Sequence, residues 1–411
     1  MTQNPTGKER FALAALLSLL AILGPLNIDM YLPSFPDIVN DLDTNASLVQ
    51  LSLTTCLIGL AVGQLVVGPI SDALGRKRPM VVSIILFILA SLLCAFAPNI
   101  VVLIIGRFLQ GFTAAGGIVA SRAVVRDVFS GPDLTKFFAL LMVMNAMAPM
   151  LAPVAGGAIL LLPNAHWNFI FFFLSLLGLI IVSFTSWRLK ESLPVEKRTK
   201  TSLKKTFQTF GSLSRERSFI GYALTLGFAH GGSFAYVSGT PFVYQGIYNV
   251  SPQTFSLLFG VNGIAIITGT FIVGRCAGKV REQTILRTAL LIASVATTVL
   301  LIMTIVKGPL FMIVGSIFVY MITMGMITTT SFSLAINKQG HRAGSASALL
   351  GMMPLFIGAC VAPLVGLDES TAIPMGAIIF TSTIIALFSF FQIALRGERL
   401  EEELAKHSVT S

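Results

Sequence analysis

Charged residues are scarce in this chain. Of its 411 residues only 11% are charged, whereas 55% are hydrophobic, and its mean hydropathy is +0.85. Soluble domains carry about 25% charged residues, so this chain has too few polar side chains to cover a globular surface. The composition therefore excludes an ordinary soluble domain and predicts an integral membrane protein.

Several chemical features are also missing. The four cysteines show no paired spacing and lie in or beside apolar segments, which indicates packing residues rather than a zinc site or a disulfide framework. The sequence has no Gly-x-x-x-x-Gly-Lys phosphate loop, so ATP-driven transport is not expected. It also has no cluster of nucleophiles or metal ligands. We therefore expect no metal, no cofactor and no enzymatic activity.

Long apolar segments are abundant. A membrane-spanning helix needs about 20 apolar residues, and twelve segments approach or exceed this length. They are 11–34, 47–70, 79–97, 100–122, 137–161, 168–187, 219–243, 253–275, 287–306, 309–332, 345–366 and 373–395. The first resembles a secretory signal, but no clear small-residue cleavage site follows, so we interpret it as a span. The sequence predicts an all-α integral membrane protein with twelve transmembrane helices.

The basic residues indicate the orientation. Lys and Arg are enriched on the cytoplasmic side of membrane proteins. If the N-terminus is cytoplasmic, all 28 of them lie on inner segments except Lys307, in an outer loop, and Arg107, inside a span. This distribution explains the net charge of +10 without a nucleic-acid partner. We expect a multi-pass plasma-membrane protein with both termini in the cytoplasm.

The longest hydrophilic stretch, 188–217, divides the chain near its middle. It predicts an N-terminal half at 1–187, a cytoplasmic linker, and a C-terminal half with a cytoplasmic tail at 218–411. Within the linker, apolar residues recur at helical spacing beside Lys204 and Lys205; they are Leu203, Phe207, Phe210 and Leu213. This pattern fits a helix on an anionic inner leaflet. It fits a solvated basic linker equally well.

The two halves are related by an internal repeat. An offset of 206 residues aligns Leu48–Gly68 with Thr254–Gly274, and an offset of 210 aligns Ala152–Gly156 with Ala362–Gly366. Duplicated halves are typical of secondary transporters, which hold substrate between them. The sequence thus predicts two pseudo-symmetric six-helix halves and a transport function.

Only two formally charged side chains, Asp29 and Arg107, lie well inside spans. A charge in the membrane costs about 2.5 to 3.5 kcal/mol and usually has a partner. Both lie at similar depth, so we expect them to pair, either as a structural ion pair or as a protonatable carboxylate tuned by an arginine. At the offset of 206, Ala235 matches Asp29. The charge pair therefore occurs in one half only, which favours a single proton site.

Polar residues at similar depth are candidates for lining a substrate cavity. Span seven carries Ser233 and Tyr236, with His230 deeper. His230 is either a hydrogen-bonded packing residue or a second proton-binding group. The full candidate set is Asn27, Tyr31, Asn145, His230, Ser233 and Tyr236.

The loop between spans two and three carries a recognisable pattern. Its Gly-x-x-x-Asp-x-x-Gly-Arg-Lys sequence is formed by Gly68, Asp72, Gly75, Arg76 and Lys77. It resembles motif A of the major facilitator superfamily. Glycine permits a tight turn between helices, the acid can cap a helix N-terminus, and the bases can anchor to the inner leaflet.

Two further segments resemble motifs of this superfamily. Arg107–Gly111 is similar to motif B, Arg-x-x-Gln-Gly. Ala148–Gly157 is similar to motif C of antiporters, a pliable helix with Pro149, Pro153, Gly156 and Gly157. Alanine replaces the usual glycine at 148 and 152, yet Ala-Pro-x-x-Ala-Pro resembles the bicyclomycin-resistance branch. Residues 27–33, 122–127 and 238–242 also resemble that branch.

This resemblance implies a drug:proton antiporter that exports compounds such as bicyclomycin, sulfonamides or amphenicols. In related transporters an acid in span one takes up the proton and the motif B arginine assists, which implies these roles for Asp29 and Arg107. Motif A would form an inner gate with Asp127 at the end of span four. The implied partners are a small-molecule substrate, protons and membrane lipids. An alternative is export of an endogenous metabolite, such as an amino acid, with incidental drug efflux.

Overall fold

The computed structural model describes residues 7–129, 131–198, 203–337, 339, 342–368 and 370–410. These residues contain no β-strand, and twelve long helices among them coincide with the twelve predicted segments. We label the helices α1 to α12. In chain order they are Gly7–Asp29, Ala46–Leu74, Lys77–Ala95, Ile100–Val128, Gly131–Ile159, Asn168–Arg188, Arg217–Thr240, Pro252–Cys276, Glu282–Ile305, Leu310–Ile336, Ala343–Val361 and Ile373–Phe388.

Most of these helices match the requirements of a membrane. Within the described residues, ten helices are long and apolar enough to cross one. The two others are α5, whose described apolar part is Met147–Ile159, and α7, which is rich in glycine and polar residues. The predicted all-α membrane fold is confirmed.

The helix ends differ from the predicted segments in two ways. The first segment does not continue to residue 34, because α1 ends at Asp29 and is followed by a 3₁₀ turn, Leu32–Ser34, and a short helix, Phe35–Asp41. Pro33 lacks the amide hydrogen that would continue α1 and biases the preceding residue away from helical geometry. Conversely, α2 and α4 extend beyond the apolar segments, so that Asp72 and Asp127 lie on helices.

Asparagine caps begin the two central helices of the N-terminal part. The Asn45 side-chain carbonyl accepts a hydrogen bond of 2.9 Å from the Leu48 amide at the start of α2. The Asn99 side chain accepts one of 3.0 Å from the Val102 amide at the start of α4. Each cap satisfies a backbone donor that has no partner within the helix.

Glycines let α2 and α4 pack backbone to backbone. A Cβ atom at Gly59 would collide with the Phe108 carbonyl group, and one at Gly111 would collide with the Cys56 carbonyl group. Small residues at such positions allow the close approach that membrane helices use for packing. These contacts fix the position of Arg107, which lies on α4 one turn before Gly111.

The C-terminal part repeats this contact between α8 and α10. A Cβ atom at Gly269 would collide with the Ile322 carbonyl group, and one at Gly325 with the Ile266 carbonyl group. Gly269 is the residue that the offset of 206 aligns with Gly63, and a Cβ atom at Gly63 would meet the Phe112 carbonyl group. The internal repeat is therefore visible in helix packing as well as in sequence.

Contacts divide the chain into two compact units. The first extends up to Ser202 and includes Asn249–Gly260, and the second comprises Leu203–Tyr248 and the chain from Val261 onward. In the first unit, α1 packs on α4 and α5, while α3 packs on α4 and α6. In the second unit, α7 packs on α10 and α11, while α9 packs on α10 and α12. The two units thus share one packing scheme, displaced by six helices.

The stretch 188–217 contains a helix, Leu203–Leu213, that belongs to the second unit. Phe210 and Leu213 are buried, and this helix contacts α11. These two side chains therefore pack on protein. The side chains of 203–207, including both lysines, lie outside the described residues.

The glycine contacts lead to a first prediction. Gly325→Val should strongly destabilise the protein, because the added side chain would meet the α8 backbone, and overpacking of this kind typically costs about 1 to 3 kcal/mol or more. Gly315→Val, on the same helix, is the matched control, since nothing lies within 4 Å of an added Cβ atom there. Thermal unfolding in detergent, followed by size-exclusion chromatography, measures both. Equal unfolding temperatures would contradict the packing scheme.

Candidate functional site

Arg107 is fully buried in the first unit, and α1 supplies most of its partners. Its Nη1 atom donates hydrogen bonds to Asn27 Oδ1 at 2.6 Å and to Gln110 Oε1 at 2.5 Å, and its Nη2 atom donates to the Asn27 backbone carbonyl at 2.8 Å. The guanidinium group also lies 4.0 Å above the centre of the Tyr31 ring, where a cation–π interaction is favourable.

The local structure of α1 explains why it binds a cation here. Asn27 lies in the last turn of α1, where backbone carbonyl groups have no partner within the helix. The negative end of the helix dipole adds to the attraction for a positive charge. The end of α1 at Asp29, set by the following proline-containing turn, thus creates the acceptor that Arg107 uses.

Asp29 is also buried, with 5% of its surface exposed, but it does not pair with Arg107. No hydrogen bond or ion pair joins its carboxyl group to another described residue. The predicted Asp29–Arg107 pair is therefore absent from this structure. The physical reason is that residues two apart on a helix point in different directions, and Arg107 binds the face of α1 that carries Asn27.

Hydrogen bonds extend the Arg107 site to α2 and α3. Asn27 Nδ2 donates to Cys56 Sγ at 3.2 Å, and Gln110 Nε2 donates to Ser91 Oγ at 2.8 Å. The Tyr31 hydroxyl lies 3.3 Å from Ser52 Oγ. The hydrogen bonds to Asn27 and Gln110 constrain the guanidinium group, so they hold the positive charge of Arg107 in a defined place. Arg107 Nε has no hydrogen-bond partner among the described residues.

The motif C helix α5 lies against the end of α1. It contains Pro149 and Pro153, and a Cβ atom at Gly156 would collide with the carbonyl group of Met30, the neighbour of Asp29. Gly157 faces Ser256, in the segment Asn249–Gly260 of the same unit. The side chain of Asn145 lies outside the described residues.

The candidates on α7 lie in the second unit and bind groups within it. The His230 ring nitrogen Nδ1 is 3.0 Å from the Leu226 carbonyl oxygen, four residues earlier, which fits its interpretation as a hydrogen-bonded packing residue. Ser233 Oγ lies 3.9 Å from Met321 Sδ. Tyr236 is 1% exposed, and its hydroxyl accepts a hydrogen bond of 2.6 Å from Asn262 Nδ2.

The structure adds residues that the sequence analysis missed. Asn262 is the residue that the offset of 206 aligns with Cys56. Both bind a polar residue on the first helix of their unit: Cys56 binds Asn27, and Asn262 binds Tyr236. The internal repeat could have identified Asn262, because it aligns this residue with Cys56 on the second helix of each half.

Motif A forms a second polar site, the motif A junction, which consists of Asp72, Arg76, Asp127 and Glu191. Arg76 is 3% exposed. It donates from Nη1 to Asp72 Oδ1 at 2.5 Å and from Nε to Asp127 Oδ2 at 2.8 Å. Gly75 has a φ of 95°, a value that favours glycine, and so makes the turn between α2 and α3.

Two expectations for motif A were wrong. Asp72 does not cap a helix N-terminus, because it lies within α2 and binds Arg76. Arg76 is not exposed to bind the inner leaflet, because the two carboxylates hold it inside the protein. Lys77, by contrast, reaches the end of α6, where its Nζ atom donates to the Ser186 carbonyl at 2.9 Å.

Glu191 supplies the cap that Asp72 does not. It follows α6, and its carboxylate accepts hydrogen bonds from the backbone amides of Arg76 at 2.7 Å, Lys77 at 3.2 Å and Leu193 at 3.0 Å. Burial alone would raise the pKa of Glu191, but these amides and the nearby Arg198 outweigh it, so the pKa lies below its ordinary value. The anion thus stabilises the N-terminus of α3.

The second unit has a weaker counterpart of this junction. The offset of 206 aligns Arg76 with Glu282 and Asp127 with Ser333. Ser333 Oγ donates to Glu282 Oε1 at 3.0 Å. The contact between these two positions is therefore repeated, whereas the ion pair of Arg76 with Asp127 is replaced by a hydrogen bond of Ser333 to Glu282.

Comparisons with known proteins agree with these features. A family model described as Major Facilitator Superfamily matches residues 17–363. The chain is 62% identical to Uncharacterized MFS-type transporter YdgK of Bacillus subtilis (strain 168) over 391 residues, which are 95% of this chain and 97% of that protein. It is 30% identical to a Bicyclomycin resistance protein homolog of Haemophilus influenzae over 391 residues, 95% of this chain and 98% of the relative.

Solved structures show the same fold. A bacterial homolog of the human lysosomal transporter Spinster, with 14% sequence identity, aligns with a TM-score of 0.75 over 96% of this chain and 98% of that chain. The family match and the relatives confirm the resemblance seen in the sequence motifs. The chain belongs to the major facilitator superfamily, a family of membrane transporters.

Proposed function

We propose that the protein is a proton-coupled antiporter that exports amphipathic drugs or similar small molecules by alternating access. Asp29 carries this proposal. It is the sole acid well inside a span, the repeat has no acid at the matching position, and its buried carboxyl group has no partner among the described residues. Such a group can take up and release a proton without breaking an ion pair.

In this mechanism Arg107 is a fixed positive charge and Asp29 is the variable one. Asn27 and Gln110 hold the guanidinium group, so proton exchange at Asp29 changes the charge at the end of α1 while the cation stays in place. A change of one charge in a low-dielectric interior alters the relative free energies of two conformations. An inward-moving proton contributes about 2.3 kcal/mol per 100 mV of membrane potential.

Drug export is supported by relatives. One of them is named for bicyclomycin resistance. Tyr31 and Tyr236 are buried beside polar groups in their respective units. The substrate class we propose is therefore neutral or weakly polar antibiotics such as bicyclomycin and the amphenicols.

Transport into inside-out vesicles tests this function. Vesicles from an efflux-deficient host that expresses the protein should accumulate radiolabelled bicyclomycin or chloramphenicol when respiration acidifies their interior. An uncoupler should abolish the accumulation, and vesicles without the protein are the control. Accumulation that survives the uncoupler would contradict proton coupling. Uncoupler-sensitive accumulation of amino acids but of neither drug would instead identify a metabolite exporter.

We also propose the orientation, with both termini and the 188–217 stretch in the cytoplasm. Single cysteines at Leu161, Val306 and Val195 suit a labelling test, because these side chains are 67%, 61% and 68% exposed. On a cysteine-free background, an impermeant maleimide added to intact cells should label positions 161 and 306. Position 195 should react only after permeabilisation. The reverse pattern would contradict the proposed orientation.

A further inference from the structure

A basic cavity lies where the first turn of α7 meets the helix Leu395–Thr410, which continues from α12 through the π-helical turn Ser389–Ala394. Its volume is about 480 Å³. The residues that matter for its chemistry are Arg217, Ile393, Arg396, Arg399, Leu400 and Glu403. Three guanidinium groups and one carboxylate give the lining a formal charge of +2.

Tight packing holds these arginines in place. A Cβ atom at Gly397 would lie 2.5 Å from the Ser218 backbone nitrogen and 2.8 Å from the Arg217 carbonyl carbon. Ser218 Oγ donates a hydrogen bond of 2.5 Å to Glu401 Oε1. Arg217 is therefore fixed beside the helix that carries Arg396 and Arg399, and those two residues, three apart, share one face of it.

Three carboxylates near the cavity bind other groups. Glu216 binds Arg342 at 2.6 Å and Gln339 at 2.8 Å. Glu398 accepts a hydrogen bond of 2.5 Å from Gln283, and Glu401 binds Ser218. Within the described part of the chain, no hydrogen bond or ion pair joins a carboxylate to Arg217, Arg396 or Arg399. The cavity thus keeps a local excess of positive charge.

We propose that this cavity binds the phosphate headgroup of an anionic phospholipid. Guanidinium groups form paired hydrogen bonds with phosphate oxygens, and three of them around one cavity suit a phosphodiester. Ile393 and Leu400 give the cavity an apolar wall for the glycerol and the first acyl carbons.

Position favours a lipid over a soluble phosphate. Arg217 is the first residue of α7, and Arg396 lies in the last two turns of the candidate membrane span Ile373–Glu401. The proposed topology places both at the cytoplasmic boundary of the membrane, and basic pockets there bind lipid headgroups. A bound headgroup would join the ends of α7 and α12 through shared contacts.

Native mass spectrometry of the delipidated full chain in detergent tests this site. Phosphatidylglycerol should bind with at least ten times the occupancy of phosphatidylcholine. The triple variant Arg217→Gln, Arg396→Gln, Arg399→Gln should lose this preference, whereas Arg281→Gln, at an exposed arginine in another loop, should keep it. Millimolar inorganic phosphate should leave phosphatidylglycerol bound.

Each other outcome counts against the site. Equal binding of both lipids, or loss of preference in Arg281→Gln, would indicate general adsorption to basic surface. Displacement by inorganic phosphate would identify a pocket for soluble anions. If the triple variant does not fold, Arg396→Gln and Arg399→Gln are measured singly, and each should reduce phosphatidylglycerol occupancy by at least threefold. Unchanged occupancy in both would overturn the proposal.

Discussion

Asp29→Asn is expected to abolish drug export driven by a pH gradient and to leave a folded protein. Asparagine keeps the size and polarity of the side chain but cannot ionise in the physiological pH range. Since Asp29 makes no hydrogen bond or ion pair within the described residues, its replacement removes no polar contact, and stability should change by less than about 1 kcal/mol. Driven accumulation in vesicles should fall at least 100-fold, together with drug-induced proton release in detergent.

Asn27→Ala is the matched comparison, because Asn27 lies two residues away on the same helix and holds Arg107. It should destabilise the protein by about 1.5 to 3 kcal/mol, since the buried cation loses one of its two side-chain acceptors. Thermal unfolding and vesicle transport together separate a coupling residue from a structural one. A folded Asp29→Asn protein that still exports drug on a pH gradient would refute the assignment, and His230 would become the next candidate.

The sequence predicted the positions of the helices well, because long apolar segments are a strong signal. Its expectation that Asp29 and Arg107 pair was wrong, because Arg107 binds Asn27 instead. It could not predict which face of α1 meets α4, since rotation about a helix axis is set by packing, here by the close approach of Gly117 on α4 to the Leu20 carbonyl group of α1. The observed rotation of α1 places Asn27 against Arg107 and leaves Asp29 without a contact to that arginine.

The motif A junction was also predicted only in part, because sequence spacing does not reveal contacts between residues far apart in the chain. Gly75, Asp72 and Arg76 were recognised from their spacing within one loop. Glu191 was missed because it lies 115 residues from Arg76 in the chain, and only the fold brings its carboxylate to the α3 amides. The internal repeat carries more information than motifs alone, since it aligns Glu282 and Ser333 with Arg76 and Asp127.

Arg76→Ala is expected to reduce transport at least tenfold and to leave drug affinity nearly unchanged. Removal of Arg76 would leave Asp72 and Asp127 facing a cavity with no cation between them. Loss of one partner of a buried ion pair costs about 3 to 5 kcal/mol, and a cost of that size in one conformation shifts a two-state equilibrium more than 100-fold. The junction lies on helix ends away from Asn27 and Tyr31, so direct contacts with a drug should persist.

Lys77→Ala is the control for charge in the same loop, because the Lys77 side chain makes one exposed hydrogen bond to a carbonyl group and its loss should change transport little.

Asp127→Ala should reduce transport to a similar extent as Arg76→Ala. In the double variant Arg76→Ala, Asp127→Ala the transport loss should be smaller than the product of the single losses, because one interaction is removed in all three. Uptake into inside-out vesicles measures transport, and drug binding in detergent measures affinity. A parallel loss of binding and transport in Arg76→Ala would show that the junction supports the drug site itself, because a conformational bias alone leaves the contacts of the bound drug intact.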